Sequence, residues 1–275
     1  MILTRRWNVI GYVVLGLAAV ITLFPFLFTF INSIKYYKDI TSGTLIFQPT
    51  LVNYDRLFFS KQSAFMVNTT NSLIIAVVST ALVLVIAALG GYSLERFRWP
   101  RRFTGILAAW ILLFHMIPGV TMVGPFYLLM RGIGLYDRLA SVILSHVVLN
   151  LPMALWIVQS FLADLPVEME EAAHIDGASN LGTFIKVVIP LIAPGLAAVA
   201  ILTFVFSWNE FLFALNLTST KAATIPVGIA KFAQQYEVRF GEMSAAAFFA
   251  TLPAVIFLSF AQRQIVKGLT LGALK

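Results

Sequence analysis

The strongest constraint on this chain comes from apolar runs that are each long enough to cross a lipid bilayer. A transmembrane helix needs about 20 consecutive apolar residues. Six runs qualify, with predicted bounds Asn8–Ile31, Val67–Leu94, Phe103–Met130, Leu139–Ala163, Leu191–Leu217 and Met243–Gln262. Strands are not expected, because the backbone N–H and C=O groups at an open sheet edge find no hydrogen-bond partners in lipid. The sequence also lacks the repeated segments of about ten residues, with alternating apolar and polar side chains, that form membrane barrels. The pattern predicts an all-α membrane protein with six transmembrane helices.

Composition agrees with this fold class and excludes several functions. Hydrophobic residues make up 60% of the 275 residues and charged residues only 11%, whereas soluble domains are about 25% charged. The net charge of +7 is carried between the apolar runs, where basic residues meet lipid headgroups. The sequence has no basic stripe with interleaved aromatic residues, so nucleic-acid binding is not expected. Because the chain has no cysteine, thiol nucleophiles, disulfides and thiolate metal sites are excluded, and no metal site is predicted.

The distribution of basic residues predicts an orientation. The densest clusters, Arg5–Arg6 and Arg96–Arg102, fall on the same side of a six-span map. The positive-inside rule places that side, with both termini and the segment Leu165–Pro190, in the cytoplasm. The first apolar run is longer than the core of a signal peptide and is interpreted as a retained span. No internal repeat or second soluble domain is visible, so residues 1–275 are predicted to form one transmembrane domain.

The segment "LPVEMEEAAHIDGASNLGTFIKVVIP" interrupts the apolar pattern between the fourth and fifth spans. It is much longer than the roughly 2–8 residues that connect bundle helices. Pro166 suits the first turn of a helix, Gly177 can end that helix in the left-handed conformation, and Ser179 or Asn180 can cap a second one. The segment therefore predicts a helix–turn–helix that docks a cytoplasmic partner, rather than a solvated connector.

A second candidate site lies in the fifth predicted span. Glu210 is the one acidic residue within the six spans, which contain no Lys or Arg, and intramembrane ionisable residues usually have a function. Phe204, Trp208 and Phe211 are spaced as one helical face, and Asn209 lies beside Glu210. Aromatic faces with amides and carboxylates can bind sugars, so these residues are a possible substrate path. The alternatives are packing or an interface belt for the aromatics, and headgroup depth for Glu210.

The residues "EAAHIDGASNLGTFIKVVIP" resemble the EAA motif of ABC-importer permeases, E-A-A-x3-G-x9-I-x-L-P. The identical positions are Glu171, Ala172, Ala173, Gly177 and Pro190, with Val187 and Ile189 as aliphatic substitutes. The stretches "NSLIIAVVST", "GYSLERF", "GLYDRLASVIL", "SWNEFLFAL" and "KGLTLGALK" are similar to the carbohydrate-uptake branch, which contains the six-span permease subunit of the maltose transporter. The resemblance covers about residues 67–275.

The resemblance implies a permease subunit that forms half of the path for a sugar or oligosaccharide in a bacterial or archaeal cytoplasmic membrane. It implies that the segment forms a coupling helix, in which Glu171 to Gly177, including Asp176, and Pro190 transmit motion from an ATPase. Glu171 would meet a basic group of that ATPase, and the tail from Lys267 would reach it as well. The implied partners are a second homologous permease, two ATP-binding subunits and an extracytoplasmic solute-binding protein.

Other functions remain as alternatives. The chain has no Gly-x4-Gly-Lys-Ser/Thr loop, so ATP and Mg are expected on the partner and the chain is not expected to be an enzyme. A sugar phosphate or another polar solute is the nearest alternative substrate, although anions favour nearby cations. A membrane-embedded enzyme would have only Ser141, Ser145 and His146 as clustered candidates. An ion-driven transporter would be expected to show repeats and more ionisable groups.

Overall fold

An apolar segment in lipid must form its backbone hydrogen bonds within itself, because lipid offers no partners. The chain accordingly folds almost entirely into helices. The computed structural model describes residues 5–233 and 238–272. Within these ranges no strand forms beyond an isolated bridge between Ala233 and Val238. The helices are α1 Arg5–Ser33, α2 Tyr37–Thr41, α3 Val52–Phe59, α4 Phe65–Arg96, α5 Arg101–Met116, α6 Gly119–Gly132, α7 Leu139–Ala163, α8 Glu168–Ile175, α9 Asn180–Thr183, α10 Ile189–Leu191, α11 Ala193–Asn209, α12 Leu212–Leu217, α13 Ile225–Ala230 and α14 Phe240–Gly272.

Four stretches are long and apolar enough to cross a membrane as single helices. They are Ile10–Ser33, Phe65–Arg96, Leu139–Ala163 and Phe240–Phe257. A fifth crossing results if Asn180–Leu191 and Ala193–Asn209, which meet at an angle of 73°, are counted as one broken span. The described residues therefore confirm a helical membrane protein, with four or five spans by length and composition.

Two predicted spans are broken in the structure. The predicted span Phe103–Met130 divides into α5 and α6, because Ile117 and Pro118 have extended backbone between them. The predicted span Leu191–Leu217 divides into α11 and α12, because Glu210 is also extended. Each break leaves helices shorter than the roughly 20 residues that a single crossing requires.

The prolines have two different effects. Pro25, Pro152 and Pro253 lie inside continuous helices, which membrane helices tolerate because neighbouring groups satisfy the freed carbonyl. Pro118 and Pro194 instead lie at helix starts, just before α6 and in the first turn of α11. Proline suits that position because its missing N–H has no partner in the first turn.

The chain divides into two compact units. The first comprises Met1–Val67 and Gly228–Pro253. Within it, the buried side chain of Asn53 donates to the carbonyls of Ser33 and Lys35, at 2.9 and 2.8 Å, and so satisfies the end of α1. Glu242 pairs there with Arg56 and Arg239.

The second unit comprises Asn68–Val227 and Ala254–Lys275, and it holds both candidate sites. One of its apolar clusters joins residues of α4, α7 and α11, including Val83, Val158 and Val199. Close helix contacts depend on glycine: a Cβ on Gly91 would lie 2.8 Å from Val158 Cγ1, and one on Gly195 would lie 2.5 Å from Phe161 Cδ2. Small residues let helix backbones approach closely in membranes, where packing drives association.

Candidate functional site

The acidic segment between α7 and α11 forms the predicted helix–turn–helix. Helix α8 begins at Glu168, two residues after Pro166, and ends at Ile175. Gly177 follows with φ of +87°, which confirms the predicted left-handed residue. The N–H of Ala178 donates to the carbonyl of Ala173 at 2.9 Å and satisfies the end of the helix.

The second arm begins at the predicted cap and then changes its winding. Ser179 Oγ accepts the N–H of Gly182 at 3.2 Å, so Ser179 rather than Asn180 is the cap of α9. The chain continues as a π-helical segment over Phe184–Val188. Pro190 lies in α10, immediately before the 73° bend into α11. The segment Glu168–Leu191, called the coupling hairpin below, thus joins α11 at a sharp angle.

The hairpin presents an exposed surface that mixes acidic and apolar side chains. Glu171, Ala172, Asp176 and Gly177 are exposed, and Ala173 is half-buried. Ile175 is 86% exposed at the tip. Its apolar side chain lies beside the exposed acidic ones, so this surface offers both apolar and charged contacts. The predicted coupling residues therefore lie on a surface suited to a partner, although their role stays a prediction.

The neighbouring Glu170 has a different environment, which no local sequence pattern indicates. Its carboxylate is buried and accepts hydrogen bonds from Arg96 Nε at 2.6 Å and from Tyr92 OH at 2.8 Å. Both partners lie at the end of α4, more than 70 positions earlier in the chain. Adjacent glutamates in a helix point about 100° apart, so Glu170 faces the protein while Glu171 faces solvent.

The second candidate site surrounds the break between α11 and α12. Glu210 accepts the N–H groups of Phe213 and Ala214, at 2.7 and 3.0 Å, and so caps the start of α12. His146 Nε2 lies 3.3 Å from Glu210 Oε2, and this contact is a hydrogen bond when Nε2 carries the proton. Glu210 therefore joins α7 to the broken fifth span through His146.

A pocket of about 650 Å³ opens beside this break. Asn209, Glu210 and Phe211 line it, together with Phe114, Ile117, Gly119, Met122, Leu149, Val205, Phe206, Leu212 and Phe213. This is a plausible volume for a small ligand, since ligand pockets usually occupy about 300–1,000 Å³.

The predicted aromatic cluster is divided by the structure. Phe204 and Trp208 are buried, stack on each other at 6.1 Å and do not line the pocket. Phe204 also stacks on Phe257 at 4.1 Å. The prediction that Phe211 shares their helical face is wrong, because α11 ends at Asn209 and the extended backbone of Glu210 turns Phe211 elsewhere. The two buried rings pack within the second unit, and their part in a substrate path stays a prediction.

Asp137, in the turn between α6 and α7, is the centre of a third group of polar contacts. It has a positive φ of 55°, and its carboxylate accepts N–H groups from four consecutive residues, Ser219 to Ala222. Partial burial raises the pKa of Asp137, but these backbone hydrogen bonds outweigh it and hold the pKa below its ordinary value. The cluster ties this turn to the loop that follows α12.

Acid is expected to loosen this connection. Because the folded-state pKa is lowered, the carboxylate contributes its full stability above the unfolded value of about 3.9 and loses it as pH falls through the folded pKa. Thermal unfolding of the purified protein in detergent, measured from neutral pH to about pH 3, should show a steeper loss for wild type than for Asp137→Asn. Equal pH dependence in the two proteins would contradict this role.

Comparison with known proteins supports the resemblance to ABC-importer permeases. Residues 87–271 match the family model described as "Binding-protein-dependent transport system inner membrane component". The trehalose transport system permease protein SugB of Mycobacterium tuberculosis is 38% identical, over 98% of this chain and 97% of that protein. The trehalose/maltose transport system permease protein MalG of Thermococcus litoralis is 34% identical, over 100% of this chain and 98% of that protein.

A solved structure has the same fold. It is a bacterial ABC transporter involved in the import of the acidic polysaccharide alginate, and it matches with a TM-score of 0.80 over 96% of this chain and 99% of that chain. At 22% identity this likeness concerns the fold alone. The family match and the relatives, in contrast, confirm the resemblance to sugar permeases of ABC importers. The chain belongs to the family of binding-protein-dependent transport system inner membrane components.

Proposed function

We propose that this chain forms half of the translocation path of an ATP-driven importer for a neutral disaccharide or short oligosaccharide. Two relatives that match nearly the full chain are named for transport of trehalose, or of trehalose and maltose. The pocket beside Glu210 offers amide, carboxylate and aromatic side chains. None of its lining residues within the described part of the chain is Lys or Arg, which favours a neutral sugar over a sugar phosphate.

The observation that carries the proposal is the geometry of the coupling hairpin. The left-handed Gly177 turns the chain sharply, and Glu171, Ala172 and Ile175 stay exposed around this turn. An acidic helix start beside an apolar tip is suited to a cleft with a basic rim, because charge-assisted hydrogen bonds orient the contact and apolar burial stabilises it. We infer that an ATP-hydrolysing subunit provides this cleft.

The proposed topology has six crossings with both termini in the cytoplasm. Four helices and the bent pair that ends in α11 account for five crossings. We infer that α5 and α6, with 16 and 14 residues, form the remaining one as a broken span around Pro118. Broken helices occur at membrane depth where they line a cavity, and both Ile117 and Gly119 line the pocket.

The complete transporter would contain this chain, a second homologous permease, two ATP-binding subunits with ATP and Mg, and an extracytoplasmic solute-binding protein. The family description supports the last of these partners, because transport in the family depends on a binding protein. ATPase closure would push the hairpin, and the connected helices would then open the path alternately to the two sides. The tail from Lys267 would add a second ATPase contact; its last three residues lie outside the described residues.

Cysteine cross-linking tests this assignment directly, because the chain contains no cysteine. With a bifunctional thiol–amine reagent in native membranes, Ala172→Cys is expected to capture a nucleotide-hydrolysing subunit. Ile133→Cys is the matched control, because Ile133 is also exposed but lies between α6 and α7, where the proposed six-crossing topology places the chain outside the cell. Capture of the ATPase from Ile133→Cys, or its absence from Ala172→Cys, would overturn the proposed docking.

A further inference from the structure

Arg96, the last residue of α4, joins three parts of the second unit. Its Nε donates to Glu170 Oε1 on the coupling hairpin at 2.6 Å. Its Nη2 donates to the carbonyls of Leu162 and Leu165, at 3.2 and 2.9 Å. These carbonyls belong to the end of α7 and the loop that follows it, where helices leave acceptors without intrahelical partners. One guanidinium therefore connects α4, the end of α7 and α8.

Tyr92, one helical turn earlier, completes the connection. Its hydroxyl donates to the other oxygen of Glu170 at 2.8 Å. Its ring packs against Phe184, the first residue of the π-helical segment, with centroids 4.9 Å apart. Both arms of the coupling hairpin thus contact α4 through Tyr92. The adjacent Gly91 brings the same turn of α4 close to Val158 of α7.

Burial distinguishes this ion pair from an ordinary surface pair. The side chains of Arg96 and Glu170 are only 13% and 7% exposed. Exposed ion pairs between flexible side chains often contribute nothing measurable. A buried pair is seldom more stabilising than an apolar contact of the same size. Separation of Arg96 from Glu170 would nevertheless leave an uncompensated buried charge, so the pair opposes movement of α8 away from α4. The contacts are therefore better suited to fixing position than to adding stability.

We propose that Arg96 and Tyr92 are positioning residues for transport, which hold Glu170 so that the coupling hairpin, α4 and the end of α7 move as one body throughout the transport cycle. This inference rests on the proposed function of the hairpin. It assigns the force-transmitting contact to Glu170, whereas the adjacent Glu171 faces the ATPase. Displacement of the hairpin would then reach two helices at once, in addition to the direct covalent connection to α11.

Substitution of one partner gives the first test. Arg96→Gln is expected to reduce uptake of labelled trehalose and sugar-stimulated ATP hydrolysis about tenfold or more, while the ATPase subunits still copurify at the wild-type level. Arg98→Gln is the matched control, because Arg98 is exposed two residues later, and it should retain uptake. Normal uptake by Arg96→Gln would overturn the proposal. Loss of uptake in proportion to lost copurification would assign a purely structural role and would also overturn it.

A covalent replacement gives the second test and does not require Arg96→Gln to fold well. In the double variant Arg96→Cys with Glu170→Cys, these are the only two thiols, since the natural chain has none. Uptake should be lost before treatment and should recover when a short bis-maleimide, which alkylates both thiols, links α4 to α8. A linked transporter that remains inactive would overturn the one-body arrangement.

The two proposals fail in distinguishable ways. If Ala172→Cys captures no ATPase in an otherwise wild-type chain, the proposed function fails, and with it the positioning role of Arg96 and Tyr92. If that capture succeeds and Arg96→Gln transports normally, only the positioning role of Arg96 and Tyr92 fails.

Discussion

Replacement of Glu171 by lysine together with Gly177 by proline is expected to abolish uptake of labelled trehalose and maltose while the protein stays in the membrane. Proline holds φ near −65°, whereas Gly177 has φ of +87°, so the turn cannot form. Lysine at position 171 reverses an exposed charge at the start of α8, where the helix dipole favours an acid. The measurement is uptake by cells that contain the complete transporter, with membrane content determined by immunoblot.

Two matched variants separate docking from other effects. Gly177→Asn should retain most uptake, because asparagine enters the left-handed region at low cost. Glu168→Lys places the same charge reversal in the same exposed first turn, but outside the motif, and should also retain uptake. If the double variant transports normally, the hairpin does not dock in the proposed way. If Glu168→Lys is equally inactive, the loss of uptake comes from the changed charge of the helix start and not from the motif.

Gly195→Ala is expected to lower the thermal stability of the purified protein. The new Cβ would lie 2.5 Å from Phe161 Cδ2, between α11 and α7. Overpacking of this kind costs about 1–3 kcal/mol, because either the ring or the helix must shift. The midpoint of thermal unfolding in detergent should therefore fall by several degrees.

Gly124→Ala provides the control for this substitution. A Cβ on Gly124 in α6 meets no atom within 4 Å, so this variant has the same chemical change without the clash. Its midpoint should stay at the wild-type value or rise slightly, because alanine is the better helix former. Equal midpoints for the two variants would show that α11 and α7 are not packed as closely as the structure indicates.

The parts of the structure that sequence predicted are those decided by local chemistry. The apolar runs determine the helices, because lipid offers the backbone no other partners. Gly177 could be assigned from the sequence, and the cap could be narrowed to Ser179 or Asn180, because a left-handed residue and a helix cap depend on a few neighbouring positions. The motif itself comprises twenty consecutive positions and needs no knowledge of the remaining fold.

The contacts that sequence did not predict connect distant positions. Arg96 and Glu170 are separated by 74 positions, and His146 and Glu210 by 64. A single sequence carries no signal for such pairs. The break at Glu210 was also missed, because an apolar run indicates a span regardless of whether its helix is continuous. A continuous helix would place Phe211 on the face of Phe204 and Trp208, whereas of the five predicted path residues only Asn209, Glu210 and Phe211 line the pocket.

The length of α4 has a mechanical consequence. Its 32 residues extend about 48 Å at ~1.5 Å per residue, and the hydrocarbon core of a bilayer is about 30 Å thick. In the proposed topology this excess length would carry Arg96 beyond the lipid, and a swing of about 5° about the opposite end of α4 would displace Arg96 by about 4 Å. Helices longer than the bilayer tilt to fit it, so the thickness of the surrounding membrane would help to set the resting tilt of α4.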